Sequence, residues 1–350
     1  MLKTKIYIAL LLTASGGPCA ATVYELTDPT QRVFGEDQRV QTVYEDTLYD
    51  IARHYSLGSD ELIRVNPQLD PWIPGAGKTV FIPGRHILPP TAHEGIVVNI
   101  AEHRLYYYPK PRRHQPQQVI SYPVSIGKMD WRTPLGETRV IDKQKNPWWF
   151  PTESVRAEHA KDGDTLPVRV PPGPDNPLGD RALRLAAGKG TYLIHGTNNP
   201  IAVGLAVTHG CIRMYPEDIE ALFEMVPVGT KVTIVNDPVK VAWVDGELLL
   251  EAHPPVDAEG QSYEPDVEKF SELLREAVGE STVAIHWDYA REVLARADGV
   301  LATVGLEAEA PEAPPAAAQT PGDTPGTPPA VAPAEPPAEP TGSLPAAAPQ

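Results

Sequence analysis

The 350-residue sequence is short of cysteine and of positive charge. Two cysteines, Cys19 and Cys211, are too few for a disulfide scaffold. Thirty Lys and Arg stand against 46 Asp and Glu, a net charge of −16, which excludes the basic face that nucleic-acid binding requires. No apolar run reaches the ~20 residues that a permanent membrane-spanning helix needs. What the chain has in excess is proline, 40 residues, about twice the usual share, which implies extended loops or a disordered region.

The first residues carry Lys3 and Lys5, then an apolar stretch from Ile6 to Leu12, then small residues around Cys19, Ala20 and Ala21. A basic start, a short apolar core and a small-residue cleavage site are the pattern of a secretory signal peptide over residues 1–21, with Thr22 as the mature start and the periplasm as the destination. A buried N-terminal helix is the alternative; a lipid anchor at Cys19 is another, poorly served by the preceding Pro18. Export removes Cys19 and leaves Cys211 as the single thiol. An unpaired thiol in an oxidising compartment is either buried and inert or kept for its reactivity.

Four further segments follow. In residues 39–84, Val40 and Val43 suggest a strand, while Leu48, Ile51, Ala52 and Tyr55 fall at helical spacing behind Asp46 as cap. Gly58 stops that helix, Ser59 starts a second carrying Leu62 and Ile63, Asn66-Pro67 breaks the pattern and Thr79–Ile82 closes with a strand. Residues 94–238 are strand-like, with one helix from Pro216 whose Ile219, Leu222, Phe223 and Val226 form an apolar stripe. Residues 239–305 predict a short strand near Glu247–Leu250 and two amphipathic helices, Asp266–Val278 and His286–Ala297. They suit either packing on the domain or docking a partner. Residues 306–350 are almost entirely Pro, Ala, Gly, Thr and acid, a composition that predicts disorder.

The chemistry concentrates in Tyr192–Met214. His195 ends an apolar strand and Cys211 follows sixteen residues later, preceded by His209-Gly210. A thiol attacks a carbonyl as thiolate, and a nearby imidazole can take its proton. Gly210 lets the chain turn so that N–H groups near Cys211 face a developing oxyanion. Arg213 places a fork-shaped cation two residues beyond, suited to a carboxylate. Taken singly, His195 suits a structural role as well as a catalytic one. A metal site of His195, His209 and Cys211 is the rival chemistry, and it lacks an acidic ligand or a CxxC pair to complete it. No metal or cofactor is expected.

Together, His195-Gly196-Thr197 and Thr208-His209-Gly210-Cys211-Ile212-Arg213-Met214 resemble the signature of the L,D-transpeptidase (YkuD-type) catalytic domain. Residues 94–110, Thr133–Glu137, Asn146–Thr152, Pro171–Leu183 and Phe223–Val232 extend the likeness to the enzymes that attach Braun's lipoprotein to peptidoglycan. The 39–84 unit, through Asn66-Pro67 and Val80-Phe81-Ile82-Pro83, resembles a LysM module, a glycan-binding fold; a structural spacer is its alternative. The resemblance implies a mainly β catalytic sandwich beside a small α+β LysM-like domain, a C-terminal helical pair and a disordered tail. It further implies Cys211 as nucleophile, His195 as base and the Gly210–Cys211 backbone as oxyanion hole. His209 belongs to the same motif, and Arg213, Thr208, Gly196 and Thr197 fall to substrate binding. The implied substrates are peptidoglycan stem peptides and glycan, with a Braun-type lipoprotein lysine or a second stem peptide as acyl acceptor. A cysteine hydrolase and a non-catalytic wall-binding protein are the alternatives.

Overall fold

The computed structural model describes residues 22–28, 30–127, 133–161, 163–254, 267–279 and 282–308. The expected signal peptide and nearly all of the expected disordered tail lie outside these residues. Strands outweigh helices, and the largest sheet has nine strands. Its order is Val23–Leu26, Gln117–Pro123, Arg104–Tyr108, Gly95–Asn99, Lys231–Val235, Gly136–Lys145, Arg181–Leu185, Leu193–His195 and Ile212–Arg213. Two neighbouring pairs in it are parallel, 95–99 with 231–235 and 193–195 with 212–213.

The middle strands read as nearly unbroken apolar runs because both of their faces are covered. Ile96, Val98, Leu105 and Tyr107 point into one core, while Val97, Tyr106 and Tyr108 point into another with Leu26 and Leu88. The N-terminal strand 23–26, which the sequence pattern left unassigned, seals the sheet edge by pairing with 117–120.

Among the described residues six α-helices decorate the sheets. α1 (Leu48–His54) is capped by Thr47 rather than Asp46: the Thr47 hydroxyl accepts from the Asp50 N–H at 3.0 Å. Asp46 instead turns back to accept from the Val43 N–H at 2.7 Å. α2 (Ser59–Val65) follows, and the strands 38–41 and 79–82 pair antiparallel beside the two helices around Leu48, Leu62, Val80 and Ile82. α3 (Glu153–Lys161) has no counterpart in the sequence reading. α4 (Pro216–Met225) has the expected proline in its first turn and lays Ile219, Leu222 and Phe223 on the main core.

Beyond residue 238 the expected helical pair and the strand near Glu247–Leu250 are present, and the structure adds three further strands to them. α5 (Val267–Val278) and α6 (Trp287–Arg296) cover a four-stranded antiparallel sheet in the order Val239–Val244, Glu247–Ala252, Ala302–Glu307, Val283–Ile285. The unit needs that sheet because each helix has one apolar stripe that must be buried against something.

Candidate active site

The parallel pairing of two short strands brings His195 and the segment that follows Cys211 side by side. Ile194 lies opposite Ile212 and His195 opposite Arg213. Ile194 and Ile212 both point into the main core, so strand alternation sends His195, Cys211 and Arg213 to the other face together. Three contacts hold the end of this pair. The Met214 N–H donates to the His195 carbonyl at 2.9 Å, and Ser125 and Arg213 exchange backbone hydrogen bonds at 2.8 and 3.0 Å.

The turn before Cys211 is fastened from within and from outside. Gly210 has φ +95°, a conformation that side-chain-bearing residues rarely adopt. The Thr208 hydroxyl donates to the Cys211 carbonyl at 2.5 Å, closing the turn. Buried Thr133 accepts from the Gly127 N–H and donates to the Gly210 carbonyl, both at 3.1 Å. The segment Thr133–Glu137, singled out in the sequence, thus supports the Cys211 turn from a distant strand end.

His195 is 4% exposed, and its Nδ1 lies 2.7 Å from the Gly196 carbonyl. A carbonyl only accepts, so Nδ1 carries the proton and Nε2 is left as the basic nitrogen. Gly196 fits closely at that point: a Cβ there would lie 3.2 Å from Ile219 Cγ2 and 3.3 Å from the Leu178 carbonyl, so a side chain would need those neighbours to give by a few tenths of an ångström. Thr197 is buried beside it and accepts from the Asn199 N–H at 2.9 Å, which shapes the exit from the strand. Burial, joined by the Arg213 charge, pulls the His195 imidazole down to about 3, so it is neutral at physiological pH. Half-buried Cys211 is pushed up by the same loss of solvent, against the Leu193 backbone hydrogen bond and the Arg213 charge. The resting pair is therefore thiol and neutral imidazole.

Arg213 is itself lowered by burial, and its Nε is buried without a hydrogen-bond partner. A buried guanidinium N–H left open beside the thiol suits an incoming anion. His209 turns elsewhere, its Nε2 lying 2.7 Å from Glu158 Oε2 on α3. Glu158 escaped the sequence reading because it is fifty-one residues away and α3 buries only Val155. The signal that marks α3 is Thr152, whose hydroxyl accepts from the Val155 N–H at 3.3 Å in the manner of a helix cap.

Among the described residues the spacing of a metal site occurs once, at His86, Glu102 and Glu251. The Lys240 ammonium already lies there, 2.7 Å from Glu102 and 3.0 Å from Glu251.

A family model described as the L,D-transpeptidase catalytic domain matches residues 93–234. The Escherichia coli (strain K12) protein named probable L,D-transpeptidase YcfS is 43% identical over 244 residues, covering 68% of this chain and 75% of that one. Probable L,D-transpeptidase YbiS of the same strain is 39% identical over 267 residues, covering 75% and 85%. Probable L,D-transpeptidase ErfK/SrfK of Salmonella typhimurium is 40% identical over 250 residues, covering 70% and 79%. The matched region contains the paired strands 193–195 and 212–213 and most of the sheet that carries them, and at such identity over most of each relative the chain belongs to the L,D-transpeptidase family.

Proposed function

We propose that this enzyme works as a cysteine acyltransferase on peptidoglycan stem peptides, with Cys211 as nucleophile and His195 as base. The observation that supports it most is the His195 tautomer: Nδ1 is committed to the Gly196 carbonyl, so Nε2 is the nitrogen left to receive a proton on the face shared with Cys211. Cys211 Sγ attacks the amide carbonyl between meso-diaminopimelate and the terminal D-Ala of a tetrapeptide stem. The thiol proton passes to His195 Nε2 and then to the departing D-Ala amine, leaving a thioester. An acceptor amine attacks the thioester, loses its proton and returns the thiol. Backbone N–H groups at the Gly210 turn serve the oxyanion, and the open Arg213 guanidinium serves a substrate carboxylate.

A neutral resting pair suits this order of events, since the proton need move only when a carbonyl is in place to accept the sulfur. The acceptor in this reading is the C-terminal Lys ε-amine of a Braun-type lipoprotein, in the periplasm, after removal of the 1–21 leader. The 39–84 unit acts as a LysM-like glycan holder. Tyr44, Trp72 and Ile73 are exposed on it, and the Tyr49 and Trp72 rings lie 4.5 Å apart, an apolar surface of the kind sugar faces cover. No helix among the described residues is long and apolar enough to cross a membrane.

The test is mass spectrometry of the enzyme incubated with a disaccharide-tetrapeptide, with and without a peptide ending in lysine. Joining of the peptide through its lysine with loss of D-Ala supports anchoring. Dimeric muropeptides in both conditions mean 3-3 cross-linking instead, and tripeptide alone, even with the lysine peptide present, means hydrolysis. Cys211→Ala should abolish D-Ala release; release at the parental rate removes Cys211 as nucleophile. His195→Ala should lose the ~10²–10⁴-fold that a positioned base supplies, and His209→Ala far less. Equal, small losses would take His195 out of the role.

A further inference from the structure

The segment that leads into the Cys211 turn is gripped along its main chain. Five consecutive carbonyls, from Ile201 to Leu205, each accept a hydrogen bond from outside the segment. The Ser59 hydroxyl lies 3.1 Å from the Ile201 oxygen and 3.0 Å from that of Val203, and the Ser59 N–H donates to Val203 at 3.0 Å. The Ser125 hydroxyl takes Ala202 at 2.6 Å, His103 Nδ1 takes Gly204 at 2.6 Å and the Ile126 N–H takes Leu205 at 3.2 Å. Directly afterwards Ala206–Thr208 pairs with 126–127, and the chain enters His209, Gly210 and Cys211.

Ser59 stands apart in this set because it belongs to the 39–84 unit, whereas the other donors belong to the catalytic sheet and its margins. The local sequence explains the contact. Gly58 is the N-cap of α2 and has no side chain to satisfy the first N–H groups of the helix, so the Val203 carbonyl caps one of them. The two backbones touch: a Cβ on Gly58 would lie 2.9 Å from Gly204 Cα, and one on Gly204, at φ +97°, 2.5 Å from Gly58 Cα. A side chain on either glycine would force the unit away from the segment. Around this point Tyr215 donates to the Leu57 carbonyl at 3.1 Å, and Arg104 donates to both Glu61 oxygens at 2.9 and 2.7 Å. The edge of the contact carries Arg53–Glu217 at 2.7 Å.

We propose that Ser59 is a positioning residue of the active site: the start of α2 moulds residues 201–205, and through them sets the Thr208–Cys211 turn. The N-terminal unit is then a working part of the catalytic centre rather than a tethered accessory. A force on that unit, such as the pull of a bound wall polymer, is delivered to the turn that holds the thiol. The inference rests on Cys211 being the nucleophile.

The experiment measures D-Ala release from a tetrapeptide by the full-length enzyme and its Ser59→Ala, Arg53→Ala and Cys211→Ala variants, with melting temperatures for each. Ser59→Ala should lower kcat about tenfold with KM within about twofold, short of the ~10²-fold that a 1 Å misplacement of reacting groups costs. Arg53→Ala loosens the rim of the same contact without touching the segment and should leave kcat unchanged. Ser59→Cys keeps the bulk with a weaker donor and carries the same comparison if the alanine variant does not fold. Wild-type kcat in the Ser59 variant, or equal losses of kcat in the Ser59 and Arg53 variants, overturns the proposal. Persistent release by Cys211→Ala sinks the nucleophile assignment instead, so the two failures are told apart.

Discussion

Asp218, in the first turn of α4, is 3% exposed, and burial together with the Glu217 charge raises its carboxyl from 3.8 to about 8, against the pull of Arg53 and Arg104. The folded chain thus keeps a proton that the unfolded chain gives up near the ordinary value, and unfolding between those two points releases it. Stability from this group is complete below pH 3.8 and drains away as the pH climbs to about 8. Asp218→Asn, which cannot ionise, should match the wild type in melting temperature near pH 4 and exceed it increasingly toward pH 8–9; parallel curves would place the Asp218 proton elsewhere. At the same scale the sequence was legible where chemistry needs a rare residue. Of the candidate site, Cys211 and His195 stood out because the chain has only 2 cysteines and 10 histidines, and Gly196, Thr208, Gly210 and Arg213 because they flank those two in the sequence. Glu158 was not legible: a surface carboxylate is ordinary in a chain with 46 acids, and only the fold brings it to His209.

Elements announced themselves in proportion to how one-sided or fully buried they are. Gly95–Asn99 and Arg104–Tyr108 were readable because both faces are apolar, and α4 because its stripe is clean. The strands at 239–244, 283–285 and 302–307 were not, since short runs scattered around two strong helical patterns leave no signature of the sheet they jointly make. α3 was hidden for the opposite reason, having a single buried residue. What places α3 is the turn at Asn176, whose fully buried amide donates to the Pro147 carbonyl at 2.8 Å and the Pro171 carbonyl at 3.1 Å. These bonds tie together the two ends of the excursion that carries α3, alongside the Trp149–Val170 bridge. Asn176→Ala leaves both carbonyls unsatisfied and should cost about 1–3 kcal/mol, with faster amide hydrogen exchange across residues 147–171 than in the catalytic sheet. A uniform change across the protein would mean that the clamp is not local.

Across the molecule, one buried polar network joins the parts. Glu61 of the N-terminal unit meets Arg104 of the main sheet, Glu102 of that sheet meets Lys240, and Lys240 with His86 and His253 surrounds Glu251 of the C-terminal sheet. Burial alone would raise the Glu251 carboxyl, but the Lys240 charge and the two histidines hold it well below its usual range. Lys240→Met takes the ammonium from two buried carboxylates, leaving Glu102 with Asn99 and Tyr106 and Glu251 with its histidines, and should destabilise by about 3–5 kcal/mol in denaturant melts. A loss under about 1 kcal/mol would mean that water replaces the ammonium. This network has a bearing on the order in which the protein matures. A chain emerging from its N-terminus presents Glu102, with its local donors Asn99 and Tyr106, long before Lys240, so the main sheet carries a buried carboxylate without its charge partner until strand 239–244 arrives. A chain cut short before residue 240 would hold every residue of the proposed reaction centre yet lack the ammonium that binds the main sheet to the C-terminal one.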